Sequence, residues 1–186
     1  MNSTRLLKIS KYLSKHLRHQ PQRLGLQLEA GGWVSVEQLL AACRTHQFPL
    51  CRTELEEVVC QNDKQRFSFD EKKTRIRANQ GHSVTVDLQL EPRIPPSVLY
   101  HGTGQSLVES IQNYGLLKMS RHHVHLSPDI ETAYQVGTRK GHPVIFKIDT
   151  LAMDQAGFIF YCADNGVWLT DFVPSEYLQW IIADNE

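Results

Sequence analysis

Residues 98–128 read VLYHGTGQSLVESIQNYGLLKMSRHHVHLSP. The stretch predicts a strand, a helix and a second strand. Val98–Tyr100 is a short apolar run that ends in His101-Gly102-Thr103. Within Ser106–Tyr114, Leu107, Val108 and Ile111 recur at helical spacing, and Gly115 supplies a left-handed stop. Val124 and Leu126 mark the second strand, with His125 between them and Ser127 at its end. Two strands thus carry a His near a tip. Gly102 removes a side chain where a ligand backbone could come close. Imidazoles, small polar residues and bare backbone at strand ends make a cradle suited to phosphate and nucleotide.

The residues that follow continue a strand-rich pattern. Ser127-Pro128-Asp129 opens a helix ended by Gly137, and Val144–Ile148 is a strong strand. Leu151–Gln155 is one helical turn. Phe158–Tyr161 and Val167–Val173 flank Ala163-Asp164-Asn165-Gly166, whose Asn-Gly is a hairpin turn signal. Tyr177–Ile182 supplies a last strand. No GxGxxG or GxxxxGK[ST] motif appears, so neither a Rossmann site nor a P-loop is supported.

Ahead of this region, Ser3–His19 reads as a helix with Leu6, Ile9, Leu13 and Leu17 on one face. Lys8, Lys11, Lys15 and Arg18 fall opposite, a stripe that suits either a solvated face or a polyanion. Arg18-His19 sits at the helix end before Gln20-Pro21, and Pro21 stops the helix. Trp33-Val34 is a very short strand. Ser35-x-x-Gln38 and Thr53-x-x-Glu56 are capping boxes that open two further helices. Lys64–Phe69 and Thr74–Ala78 flank the polar turn Asp70–Lys73 as a hairpin. Three helices and a basic hairpin make a winged-helix arrangement, which serves nucleic acid or a protein partner. Asn79–Gly81 and the proline cluster of residues 91–96 frame a stiff seam, with a strand at Val84–Leu90 inside it. The division expected is a winged-helix lobe over 1–80, a linker over 81–97 and a strand-rich lobe over 98–186; the class is α+β.

The 186 residues carry no formal net charge, yet the halves differ. Residues 1–96 hold fifteen Lys and Arg against ten Asp and Glu, and residues 97–186 hold five against ten. The front half is therefore the candidate for a polyanion partner. Cys43, Cys51, Cys60 and Cys162 form no CxxC pair and read as four thiols, mostly buried, in a reducing cytosol. With no signal core and no membrane-length apolar run, the reading is a soluble cytoplasmic protein. His122, His123 and His125 raise the question of a metal, with His123 and His125 on one strand face. No carboxylate lies nearby in sequence to complete a site, so no metal is expected. A solvated or packed histidine cluster is the other reading.

The cations at the candidate points are Arg18, Arg66 and Arg121, each near a His or an aromatic residue. Arg grips phosphate through two parallel bonds and keeps its charge. Five ordered motifs carry a resemblance: Leu17-Arg18-His19, Lys64-Gln65-Arg66-Phe67, His101-Gly102-Thr103, Met119-x-Arg121-x-x-Val124-His125-Leu126-Ser127 and Asn165-Gly166-Val167-Trp168-Leu169. Together they resemble the NAD-dependent RNA 2′-phosphotransferases in their bacterial, KptA-like branch, over nearly the whole chain.

The resemblance implies a winged-helix RNA lobe joined to an ADP-ribosyltransferase-like lobe that takes NAD as a consumed co-substrate. It implies attack of an internal RNA 2′-phosphate on the nicotinamide ribose with loss of nicotinamide. A ribose hydroxyl then attacks phosphorus, giving 2′-OH RNA and ADP-ribose 1″,2″-cyclic phosphate. By motif match, Arg18, His19, Arg66 and Arg121 are the catalytic set, and His101, Gly102, Thr103, His125 and Ser127 lie on the nucleotide side. Lys8, Lys11, Lys15 and Lys64 are the expected RNA contacts, and a monomer without a membrane partner is expected. The rivals are an ADP-ribosyltransferase acting on nucleic-acid terminal phosphates or on protein, and a nucleotide-sensing winged-helix regulator. Phe158–Phe172 contains Asp164 and Asp171 but no Glu, which favours phosphate over protein as the acceptor.

Overall fold

Two apolar clusters, each built from residues near in sequence, divide the chain. The structure, a computed structural model, describes residues 1–62 and 64–181. One compact unit runs from Met1 to Gln89 and the other from Leu90 onward. The architecture is mixed helix and strand, and every strand pair is antiparallel. No helix among the described residues is long and apolar enough to cross a membrane.

The first unit contains α1 (Ser3–Arg18), β1 (Val34–Ser35), α2 (Val36–Thr45), α3 (Arg52–Cys60), β2 (Phe67–Phe69) and β3 (Arg75–Ala78). Asn2 caps α1 by accepting from the Arg5 N–H at 2.8 Å, and His19 ends it. The expected apolar face is buried: Ile9, Leu13 and Leu17 pack with Leu39, Leu55, Phe67 and Ile76. The strands form a sheet in the order β1-β3-β2. Asp70 holds the hairpin turn by accepting from the Thr74 and Arg75 N–H groups at 2.7 and 2.9 Å.

Three expectations change here. The strand expected from Lys64 begins only at Phe67, because Gln65 takes a left-handed φ of 40° and turns the chain. The helix expected to open at Thr53 opens at Arg52 with Cys51 as its cap. Glu54 accepts from the Cys51 N–H at 3.2 Å and also binds Arg5, so the capping carboxylate comes two residues early. No strand forms at Val84–Leu90, where alternation misled. Leu88 is buried, and the Asp87 carbonyl accepts from Gly31 N–H at 2.7 Å, so single contacts fix an extended segment. The stretch 81–97 is divided between the units: Ser83 N–H donates to Arg18 O in the first, Arg93 N–H to Phe160 O in the second.

The second unit contains β4 (Val98–Gly104), α4 (Val108–Tyr114), β5 (Leu116–Leu117), β6 (Val124–Leu126), α5 (Ile130–Gly137), β7 (Pro143–Asp149), α6 (Thr150–Gln155), β8 (Phe160–Cys162), β9 (Trp168–Thr170), β10 (Phe172–Val173) and β11 (Leu178–Ile181). Three-stranded sheets β11-β7-β4 and β6-β9-β8 accompany the pair β10-β5. Their side chains meet in a core of Leu99, Leu126, Phe146, Ile148, Met153 and Phe160. The arm expected over Val167–Val173 splits, since Trp168–Thr170 pairs with β8 whereas Phe172 and Val173 pair with β5. The expected last strand is described to Ile181; Ile182 lies outside the described residues.

The thiols depart from expectation as well. Cys43 is buried, Cys162 half-buried, and Cys51 and Cys60 are exposed. Burial pushes the Cys43 thiol up to about 11, which leaves it unreactive.

Candidate active site

In the first unit the end of α1 meets the turn that precedes β2. One Arg18 Nη2 proton is directed at the Arg66 carbonyl, 3.4 Å away and forty-eight residues on. That carbonyl also accepts from Asn79 N–H at 2.9 Å. Asn79 Nδ2 donates to Gln65 O at 2.7 Å, which pins the left-handed turn from both sides. The Arg66 guanidinium donates to Asn62 Oδ1 at 3.0 Å. The next residue after Arg18 joins the same region, with His19 Nδ1 2.9 Å from the Ser83 hydroxyl. The guanidinium of Arg18 passes beneath Gly81, whose φ of 85° requires glycine's freedom. The Arg18 side chain is therefore brought to the Arg66 backbone, with His19 adjoining through Ser83. The sequence reading missed Asn62, Asn79 and Ser83, and also Ser10, whose hydroxyl accepts from Asn62 Nδ2 at 3.0 Å; Asn79 and Ser83 lay in a stretch taken as seam and linker. Lys8, Lys11 and Lys15 are exposed along α1, and Lys64 is exposed on the turn.

A buried neighbour stiffens that helix end. His16 packs on Tyr12 with centroids 4.5 Å apart, and its Nδ1 donates to Gln20 O at 3.2 Å. Burial holds the His16 pKa below the usual imidazole range, so the ring stays neutral in its pocket.

In the second unit two edge strands are joined at one residue pair. Tyr100 N–H donates to Ser127 O at 2.9 Å, and Ser127 N–H returns to Tyr100 O at 2.7 Å. Beyond that pair an imidazole takes over from the ladder: His101 Nδ1 lies 2.9 Å from His125 O. A carbonyl only accepts, so Nδ1 carries the proton, and the neutral ring leaves Nε2 as an acceptor. Burial, the dominant influence, holds the His101 pKa below its ordinary value, with Lys140 and Arg121 acting in the same direction. His125 Nδ1 faces Arg121 Nη1 at 3.4 Å; a guanidinium only donates, which makes Nδ1 the acceptor. Arg121 itself is exposed and follows a turn closed by its N–H to Lys118 O at 3.0 Å, with Met119 left-handed at φ 54°.

Gly102 and Thr103 lie where β4 meets the α5 segment. A Cβ at Gly102 would overlap the Ala133 carbonyl of α5, and one at Gly104 would overlap the Lys140 carbonyl. These glycines let the α5 segment lie on β4, so helix packing already explains Gly102. Thr103 is fully buried, and its hydroxyl has no hydrogen-bond partner among the described residues.

His123 turns to Tyr161, with ring centroids 5.5 Å apart, and begins one residue before β6. No group of three or more His, Cys, Asp or Glu side chains suited to a metal occurs among the described residues.

Comparison with known proteins agrees with these motifs. Residues 4–172 match the sequence model of the RNA 2′-phosphotransferase, Tpt1/KptA family. A protein of Trichormus variabilis named probable RNA 2′-phosphotransferase is 66% identical over 179 residues, covering 96% of this chain and 98% of the relative. A relative of the same name in Nostoc punctiforme is 64% identical, covering 97% of this chain and all of its own. Another, in Streptomyces coelicolor, is 53% identical, with 97% and 98% covered. These names describe a phosphate-handling transferase. The chain belongs to the RNA 2′-phosphotransferase, Tpt1/KptA family.

Proposed function

We propose that the chain moves an internal RNA 2′-phosphate onto NAD, using Arg18, His19, Arg66 and Arg121 on the phosphate. His101, Gly102, Thr103, His125 and Ser127 serve the dinucleotide. The meeting of Arg18 and Arg66 at the Arg66 carbonyl, with His19 adjoining, is the observation that carries this reading. A phosphate monoester has a second pKa near ~6, so it is an anion at neutral pH and needs placement more than a base. Arg forks hold it and compensate charge on the phosphoryl oxygens as phosphorus is attacked. His19 positions the phosphate or handles a proton in that second stage.

The residues of the second unit fit NAD on two counts. The neutral His101 offers Nε2 to a hydroxyl while its other nitrogen is tied to His125 O. The Thr103 hydroxyl, buried without a partner, fits a strand completed by a polar ligand. When bound, NAD supplies a ribose carbon with nicotinamide as leaving group. Gly102 contributes through its backbone, its side-chain space being filled by α5.

The wider reading follows the same family. The first unit serves as a winged-helix RNA lobe through Lys8, Lys11, Lys15 and Lys64, and the second as an ADP-ribosyltransferase-like lobe. The protein works as a cytoplasmic monomer without metal.

The test is to mix the protein with NAD and an oligonucleotide bearing one internal 2′-phosphate. The expected products are 2′-OH RNA, ADP-ribose 1″,2″-cyclic phosphate and nicotinamide. Arg66→Ala and Arg121→Ala are expected to slow the second stage, so that 2′-phospho-ADP-ribosylated RNA accumulates. Wild-type turnover in both variants would sink the assignment, and DNA binding without nicotinamide release would favour the regulator.

A further inference from the structure

We infer that Asn62 is a positioning residue for Arg66, directing the guanidinium through a neutral amide. This rests on the role proposed above for Arg66. Asn62 is buried two residues beyond the end of α3, and each side of its amide is engaged. Nδ2 donates to the Ser10 hydroxyl of α1 at 3.0 Å. Oδ1 accepts from Arg66 Nη1 at 3.0 Å and from Lys64 N–H at 3.2 Å. Both partners of Oδ1 are pure donors, so the amide can face them only with its oxygen, and the orientation follows from chemistry. The Asn62 carbonyl also accepts from Gln65 N–H at 2.7 Å. One residue thus shapes the turn leading to Arg66 and holds the head of its side chain.

A clip for the turn alone would need only the Lys64 and Gln65 bonds. Giving the second lone pair of Oδ1 to a guanidinium fixes the direction of the fork, which the bidentate grip on phosphate depends on. The neutrality of the amide matters equally. A carboxylate in its place would hold Arg66 more strongly, but it would compete with the phosphate for the same cation. Asn satisfies both demands: it directs the fork without neutralising it. Ser10 supplies the fixed point, since its own helix belongs to the buried core.

Asn62→Asp separates this role from a structural one. The change is isosteric, and the Ser10 hydroxyl can rotate to donate to the new carboxylate, so the fold is expected to persist with an unchanged melting temperature or a higher one. Turnover is expected to fall tenfold or more, the size roughly associated with a hydrogen bond to a charged group. The 2′-phospho-ADP-ribosylated RNA should accumulate as it does in Arg66→Ala. Combined with Arg66→Ala, Asn62→Asp should add no further loss, because it acts through that side chain. Ser10→Ala, which loosens the anchor, gives a second route and should show the same accumulation to a smaller degree. If Arg66→Ala is impaired while Asn62→Asp and Ser10→Ala turn over as wild type, the inference fails and the reading of Arg66 stands. If Arg66→Ala itself turns over as wild type, both fail. Additive losses in the double variant also overturn the inference.

Discussion

Gly102→Ala puts a methyl group where α5 lies on β4. The new Cβ would overlap the Ala133 carbonyl, and Gly137 N stands 3.0 Å from the same point. Both obstacles are backbone, so no side chain can swing aside. The helix must lift from the strand, or the strand must leave its seven-residue pairing with β7. Inserting a methylene into a packed core costs about 1–3 kcal/mol, and a rigid backbone obstacle places this case at the upper end. For a chain of this size, ~3 kcal/mol lowers the melting temperature by roughly 6–12 °C. Gly166→Ala provides the comparison, because nothing lies within 4 Å of its Cβ position and only the φ of 76° opposes the change. That conformational cost is about 1–2 kcal/mol. Thermal unfolding of both variants without any ligand, followed by circular dichroism, measures the difference. Gly102→Ala melting within about 2 °C of the wild type would refute the packing account. It would leave ligand approach as the remaining reason for a glycine at this position.

Two further outcomes follow from titrating groups. Hydrogen bonds from Arg5 hold the Glu54 carboxyl well below its ordinary 4.5, at about 2. The pair therefore stabilises the fold fully above pH 4.5, and the contribution fades as pH falls toward 2. Urea unfolding of Glu54→Gln should show a shallower acid loss than wild type across that window; equal slopes would contradict it. His101, whose pKa burial lowers from 6.5, should titrate in NMR spectra with a midpoint below 6.5. Its neutral state contributes stability present above pH 6.5 and lost as pH falls through the lowered value, and a midpoint above 6.5 would contradict the dominance of burial at this ring, since the bond from Nδ1 to His125 O acts in the opposite direction.

The sequence made most helices legible because their signals are local. The apolar spacing of Ile9, Leu13 and Leu17 survives into the core, and Asp129 caps α5 by accepting from Thr132 N–H at 2.7 Å. The motifs were legible for a similar reason, since Arg18-His19 and Arg66 are each short strings. Their partners were not. Asn62, Asn79 and Ser83 reach the arginines and His19 only after the chain has folded back, and no periodicity marks such residues. Gly102 shows a different limit. A glycine in a strand signals a close approach, but the sequence cannot say whether ligand or helix approaches. Alternation at Val84–Leu90 described an extended backbone correctly yet supplied no neighbouring strand to pair with it.

An unpaired sheet margin invites another chain to dock on it. In the second unit the margins of β4 and β6 are turned toward each other and fastened by Tyr100 and Ser127, with the His101 ring filling the next rung. The residues assigned to the dinucleotide therefore also shield two exposed borders from foreign strands. A substitution that opens this closure would therefore bare two strand margins at once, a liability for solubility that is separate from any effect on chemistry.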